Sequence, residues 1–227
     1  MALLPIRPHE ETFMITRSRL DISCLIERGE PVPVLFEKRD YLMAWANRSG
    51  LDIRILDGGE GLDAVRAVGL YPLESGRVLS PVDFVWVRTA WRGYRKAMAE
   101  RSFGFSDSDE ALTRAYHADH VVARSRLKRV PESWSLIFEV PAQANTVFGA
   151  KIERRLVPIE PGFRRYDLTG MELLKIFGET MPLGTMPIDE MIERVRGQFL
   201  PKNVHAQAFL DRMEQEIRSV LDGVVIS

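Results

Sequence analysis

The sequence predicts an α+β protein organised around a strand–loop–strand–helix unit near its middle. Three observations point there. The segment "HADHVVA" (117–123) can form a strand, and "WSLIFEV" (134–140) alternates and is rich in bulky residues, as strands are. Between them lies a basic, proline-containing loop, "RSRLKRVPES" (124–133). After them Pro141, a residue tolerated in a helix's first turn, leads into "AQANTVFGAKIERRL" (142–156), which continues as a helix.

The flanks have different textures, and the chain divides into three parts. Residues 1–80 form an N-terminal α/β segment. In it "EETFMITRSRLDISCLIERGE" has helical spacing and ends at Gly29. "PVPVLFE" is a short strand, "RDYLMAWANRSG" a helix stopped by Gly50, and "LDIRILDGG" an alternating strand. The glycines of "DGGEG" belong to a plain turn, since no phosphate-loop pattern follows them. Residues 81–165 form the central module. It opens with "PVDFVWVRTAWRGYRKAMAERSFG", expected as an amphipathic helix with Arg88, Arg92, Arg95 and Lys96 along one face. "SDSDEAL" then has the capping residues of a short helix. Residues 166–227 are expected to be helical and functionally quiet: "GMELLKIFGE", "PIDEMIERVRGQFL" and "NVHAQAFLDRMEQEIRSVLDG", with His205 a surface or capping residue.

Bulk properties narrow the function classes. The chain has 227 residues, 45% of them hydrophobic and 28% charged, enough for one well-filled core. A single cysteine, Cys24, excludes an internal disulfide framework and a CxxC zinc knuckle. No apolar run approaches the roughly 20 residues that span a bilayer, and no secretory leader is apparent, so a cytoplasmic protein without a membrane partner is expected. The net charge is only −1, but its distribution is uneven. From Arg88 to Arg165 there are 15 Lys and Arg against 9 Asp and Glu. The remainder carries the acidic excess, an asymmetry that suggests a nucleic-acid surface.

Within the central unit, Asp119-His120 lie on the first strand, and Asn145 stands four residues before Gly149 on the helix. Over roughly residues 115–156 this order resembles the HNH (ββα-metal) endonuclease family. The resemblance implies an HNH-like ββα-metal module that hydrolyses DNA phosphodiester bonds, with RNA left open as a substrate. It implies Asp119 and Asn145 as ligands of Mg²⁺ or Mn²⁺, hard oxygen donors for a hard cation. His120 is the implied general base. Arg124, Arg126, Lys128 and Arg129 of the loop, with Arg92 and Lys96 ahead of it, would grip the nucleic-acid backbone.

Two features depart from the family pattern. No Asn lies between His120 and Asn145, so Ser133, Ser135 or a main-chain carbonyl would have to orient the histidine. Position 149 is Gly where the family often has a second His. His117 is expected as a neighbouring contact rather than a ligand, and Glu153 either joins the metal or pairs with Lys151 or Arg154. The other reading is a non-catalytic module that binds nucleic acid or a partner protein and keeps the ββα scaffold. Self-association is left open. In a flat strand Asp119 and His120 would point to opposite faces.

Overall fold

The computed structural model describes residues 17–56, 62–72, 79–102, 116–142, 145, 153, 156–177, 188–197, 199 and 203–221. Helix α1 (Arg17–Glu27), strand β1 (Pro33–Phe36), helix α2 (Arg39–Arg48) and strand β2 (Asp52–Ile55) come first. The long strands β3 (Ala64–Pro72) and β4 (Leu79–Arg88) follow, then helix α3 (Tyr94–Ser102). Strands β5 (Tyr116–His120), β6 (Trp134–Pro141) and β7 (Arg165–Asp167) precede helices α4 (Gly170–Phe177), α5 (Ile188–Gly197) and α6 (Val204–Leu221). The chain is thus a mixed α+β protein.

All seven strands belong to one sheet, ordered β2-β3-β4-β6-β1-β7, and every described pairing is antiparallel. Strand β6 is the branch point. One of its edges pairs with β4 over Trp134–Ile137. The other is shared: β1 takes Trp134 and Ser135, and β5 takes Ile137–Pro141. Strands from the N-terminal, central and C-terminal parts of the sequence therefore interleave in one sheet.

Around β4 and β6 both faces of that sheet are covered. On one face Phe36, Trp45, Phe84 and Trp86 form a continuous aromatic cluster, with ring centroids 5.0–6.3 Å apart. This larger core continues through Leu136, Phe138 and Val140 to helices α1, α4, α5 and α6. On the other face Val85, Val87 and Ile137 pack against Ala97 and Met98 of α3.

Double coverage explains one difference from expectation. Residues 81–88 are strand, not helix. In "VDFVWVR" the residues Val85 and Val87 face α3, and Phe84 and Trp86 face the main core, so no polar–apolar alternation marks the strand. Arg88 ends β4 and is bound to Asp63 at 2.5 Å and Glu132 at 3.1 Å, so it shares no helical face with Arg95 and Lys96. The helix starts at Tyr94, after Arg92. A second difference is β7, a short strand inside a region expected to be helical from residue 166. The expected "DGGEG" turn and "SDSDEAL" helix lie outside the described residues.

Helix α6 begins with a cap that also ties it to α1. The Asn203 side-chain oxygen accepts the Ala206 N–H at 2.8 Å, and its Nδ2 donates to the Glu27 carbonyl at 2.9 Å. Exposed His205 follows, its ring lying over Gly29. Among the described residues no helix is long and apolar enough to cross a membrane.

Helix α4 is buried on all sides and depends on Gly170 to lie where it does. A Cβ at Gly170 would sit 2.6 Å from the Met213 carbonyl oxygen and 2.8 Å from Ile217 Cγ1, both on α6. Gly170→Ala should therefore push the two helices apart and lower unfolding free energy by about 1–3 kcal/mol. Urea denaturation checks this; an unchanged midpoint would contradict the close approach.

Candidate functional site

Strand β5 carries the Asp119-His120 pair, and its pairing with β6 decides where each side chain goes. Asp119 lies opposite Phe138, and His120 opposite Ile137. Because successive side chains alternate across a strand, the two residues face opposite sides of the sheet. Asp119 points toward α4 and the main core. His120 points toward α3.

On the α4 side a buried ammonium gathers two carboxylates. Lys175 Nζ lies 2.7 Å from Asp119 Oδ2 and 2.5 Å from Glu153 Oε1, and it donates to the His120 carbonyl oxygen at 3.0 Å. It sits 5.8 Å from the centre of the Phe138 ring. Its side chain is 1% exposed, against 20% for Asp119 and 14% for Glu153. Burial pushes the Lys175 ammonium down, but Asp119 and Glu153 more than offset this and hold it above the ordinary lysine value. Burial pushes the Glu153 carboxyl up, only partly countered by Lys175.

One turn earlier on the same helix, Glu172 organises a second layer. It accepts from the Thr169 N–H at 3.3 Å, as the glutamate of a capping box does, and from the Thr169 hydroxyl. Its other oxygen receives Arg126 Nη1 at 2.6 Å. Arg126 also donates to the Val157 carbonyl at 3.0 Å and to the Tyr166 hydroxyl at 3.3 Å. Burial, with Glu172 nearby, raises the Tyr166 phenol above its usual value.

The cations expected to grip a backbone are thus used differently. Arg126 is directed inward. Arg124, Lys128 and Arg129 are exposed, Arg129 in a surface pair with Glu160. The Arg124 guanidinium lies 6.0 Å from the Tyr94 ring centre at the start of α3, where Arg95 and Lys96 are also exposed and Arg92 just precedes them. Loop and helix therefore meet in one basic region.

On the α3 side His120 is fully buried, its ring 4.8 Å from that of Tyr94 and edge-on to it. Neither ring nitrogen has a hydrogen-bond partner among the described residues. The two serines expected to orient it are occupied elsewhere. Ser133 donates to the Val130 carbonyl at 2.6 Å and lies 2.9 Å from the Thr89 hydroxyl, while Ser135 donates to the Leu136 carbonyl at 3.2 Å. His117, two residues before Asp119, shares the aspartate's face and is half-buried. Asn145 is helical and half-buried shortly after β6. Lys151, Arg154 and Gly149 lie outside the described residues.

Oxygens of Asp119 and Glu153 converge on one point, and the buried Lys175 ammonium occupies it. No group of three metal-capable His, Cys, Asp or Glu side chains occurs among the described residues, so water, an amide or a ligand would have to complete a coordination shell.

Sequence reasoning expected a quiet C-terminal third and missed Lys175 and Glu172. A signal was present. "TGMELLKIF" has the T-x-x-E pattern of a capping box, then two charges three apart inside an otherwise apolar helix.

Burial lowers the His120 pKa to about 4, from 6.5 for an ordinary histidine. Between those values the unfolded chain holds a proton that the folded chain does not. Stability should therefore rise with pH through this window and be lost as pH falls from about 6.5 to about 4, by on the order of 3 kcal/mol in all. His120→Phe keeps a ring against Tyr94 without the unpartnered nitrogens. It should be more stable than the wild type at pH 5, with the gap narrowing toward pH 7.5. A gap independent of pH in denaturation curves would contradict the buried neutral imidazole.

Comparison with family models, curated proteins and solved structures gives no match for this chain.

Proposed function

We propose that the chain is a metal-dependent endonuclease acting on DNA at the Asp119 end of the β5–β6 hairpin. The observation that carries this reading is the succession of β5, a turn-rich basic loop, β6 and the helical residues Ala142 and Asn145, with a partly exposed Asp119 on the first strand. It is the strand–loop–strand–helix order of the HNH-like ββα-metal module that the sequence resembles.

In this reading Asp119 and Asn145 hold Mg²⁺ or Mn²⁺ through oxygen, with Glu153 beside them. The cation supplies charge stabilisation for the phosphoryl oxygens and the departing 3′-oxygen. Neutral at pH 7, His120 offers a nitrogen that can take a proton from the attacking water, provided the β5–α3 seam opens at Tyr94. Arg124, Lys128 and Arg129, with Arg92, Arg95 and Lys96, hold the sugar–phosphate backbone. Arg126 shapes the loop through Glu172 rather than touching phosphate.

A second reading is favoured by a specific pair of observations. Asp119 is already neutralised by Lys175, and His120 is fully buried on the other face. These suit a non-catalytic module that binds nucleic acid, or a protein, through the same basic region.

Two measurements separate the readings. With Mg²⁺ or Mn²⁺ and supercoiled plasmid, the wild type should nick DNA, while Asp119→Ala and His120→Ala should not. His120→Ala should still bind duplex, because a base acts mainly in the transition state. Without metal, affinity for a short duplex should fall steeply with salt. Replacing Arg124, Lys128 and Arg129 with Gln should flatten the log–log slope by up to about 2.7, or about 0.9 per lost phosphate contact. Intact plasmid with both metals, alongside a salt-dependent duplex affinity, would select the non-catalytic reading. An unchanged slope would remove the loop from the interface.

A further inference from the structure

Strand β2 ends the sheet, and its outer edge is open. Asp52 lies opposite Val68 of β3 and Arg54 opposite Arg66, and the Leu56 N–H donates to the Ala64 carbonyl at 3.1 Å. Backbone groups of an antiparallel strand alternate in direction, so Asp52, Arg54 and Leu56 turn theirs toward β3. Those of Ile53 and Ile55 turn away from it, and among the described residues no strand pairs with β2 on that side. The strand has no proline, lysine or bulge to block further pairing, and Ile55 is 51% exposed.

Two charges occupy this edge. Asp52 and Arg54 are exposed, share one face of the strand, and among the described residues neither is in an ion pair. Arg54 gains nothing from the residue opposite it, since Arg66 is a like charge and is itself held by Asp83 at 2.6 Å. In their order, however, the two charges are self-complementary. With a second copy antiparallel along this edge and the two-fold axis at Ile53, each Asp52 would stand opposite the partner's Arg54. These are non-hydrogen-bonded positions, where facing side chains come closest. Ile53 would exchange both backbone hydrogen bonds with the partner's Ile53, and Ile55 would lie opposite the partner's Leu51. Moving the axis one residue along, to Arg54, would set the two arginines against each other. We infer that two copies of this chain join through their β2 edges in the Ile53-centred register, extending one sheet into the next. A four-residue strand on each side buries well under the roughly 1,000 Å² of a firm interface, so the dimer is weak and forms at high protein concentration. Nothing in this pairing depends on the endonuclease reading.

Sedimentation equilibrium of the full chain, from low micromolar to about 1 mM, reads the association. Wild type should pass from monomer to dimer across that range, with a dissociation constant that rises with salt. Arg54→Glu alone and Asp52→Arg alone each bring like charges face to face across the axis and should weaken the dimer at least ~10-fold. Both positions are exposed, and an acid at position 54 would meet Arg66, so circular dichroism should show an intact fold in each variant. Carrying both changes in one chain reverses every pair and should restore association to near the wild-type constant. A wild type that stays monomeric throughout would overturn the inference, as would a dimer indifferent to the single changes. Loss in the single variants without recovery in the double variant would overturn the Ile53-centred register, and the pairing with it.

Discussion

An ammonium with 1% of its side chain exposed must be held by its neighbours, and Lys175 is held by two separate stretches of chain. Asp119 comes from β5, Glu153 from the segment after β6, and the His120 carbonyl from the end of β5. Helix α4, which carries the lysine, is fixed by the same contacts against the β5–β6 hairpin. Its other charged residue, Glu172, fixes the loop between the hairpin strands through Arg126. One short helix thus sets the hairpin and its loop with two buried charges. Removing either charge would leave its partners desolvated and unpaired, which costs far more than a surface pair is worth.

The alternation of side chains along β5 divides the hairpin's chemistry. Asp119 joins a charged cluster over Phe138, while His120 enters an apolar seam against Tyr94. Burial keeps the imidazole neutral, and among the described residues its nitrogens have no hydrogen-bond partner. For hydrolysis the two faces would have to cooperate around the end of one strand, where His120 borders the basic loop. For binding alone they need not. The exposed cations Arg124, Arg95 and Lys96 lie beside the histidine's face, so the basic region and the acidic cluster are on different sides of the strand.

Much of this arrangement was legible in the sequence, for identifiable reasons. The hairpin was visible because "HADHVVA" and "WSLIFEV" are bounded by a polar loop, although the first strand stops at His120, and α1, α2 and α4–α6 because of their apolar spacing. Strand β4 was not, since burial on both faces erased its alternation and the spacing of Arg88, Arg92 and Arg95 mimicked a helix. The division into three sequential parts carried no hint that β1 lies between β6 and β7. Asp119 was recognisable as a functional candidate, but its partner Lys175 was hidden by distance along the chain. No local pattern links a strand residue to a charge on a later helix; only the cost of burying "GMELLKIF" with two charges inside it could have prompted the search.

The interaction on which the fold depends can be measured directly by a double-mutant cycle on Lys175 and Asp119. Equilibrium unfolding would be followed for wild type, Lys175→Met, Asp119→Asn and the double variant. Each single change breaks a buried pair and should cost about 3–5 kcal/mol, whereas the double change removes both charges and should cost clearly less than the sum. A coupling energy of a few kcal/mol is the expected result. Additive losses would mean that Lys175 and Asp119 do not hold each other in the folded protein, and would contradict the buried ammonium as the organising contact.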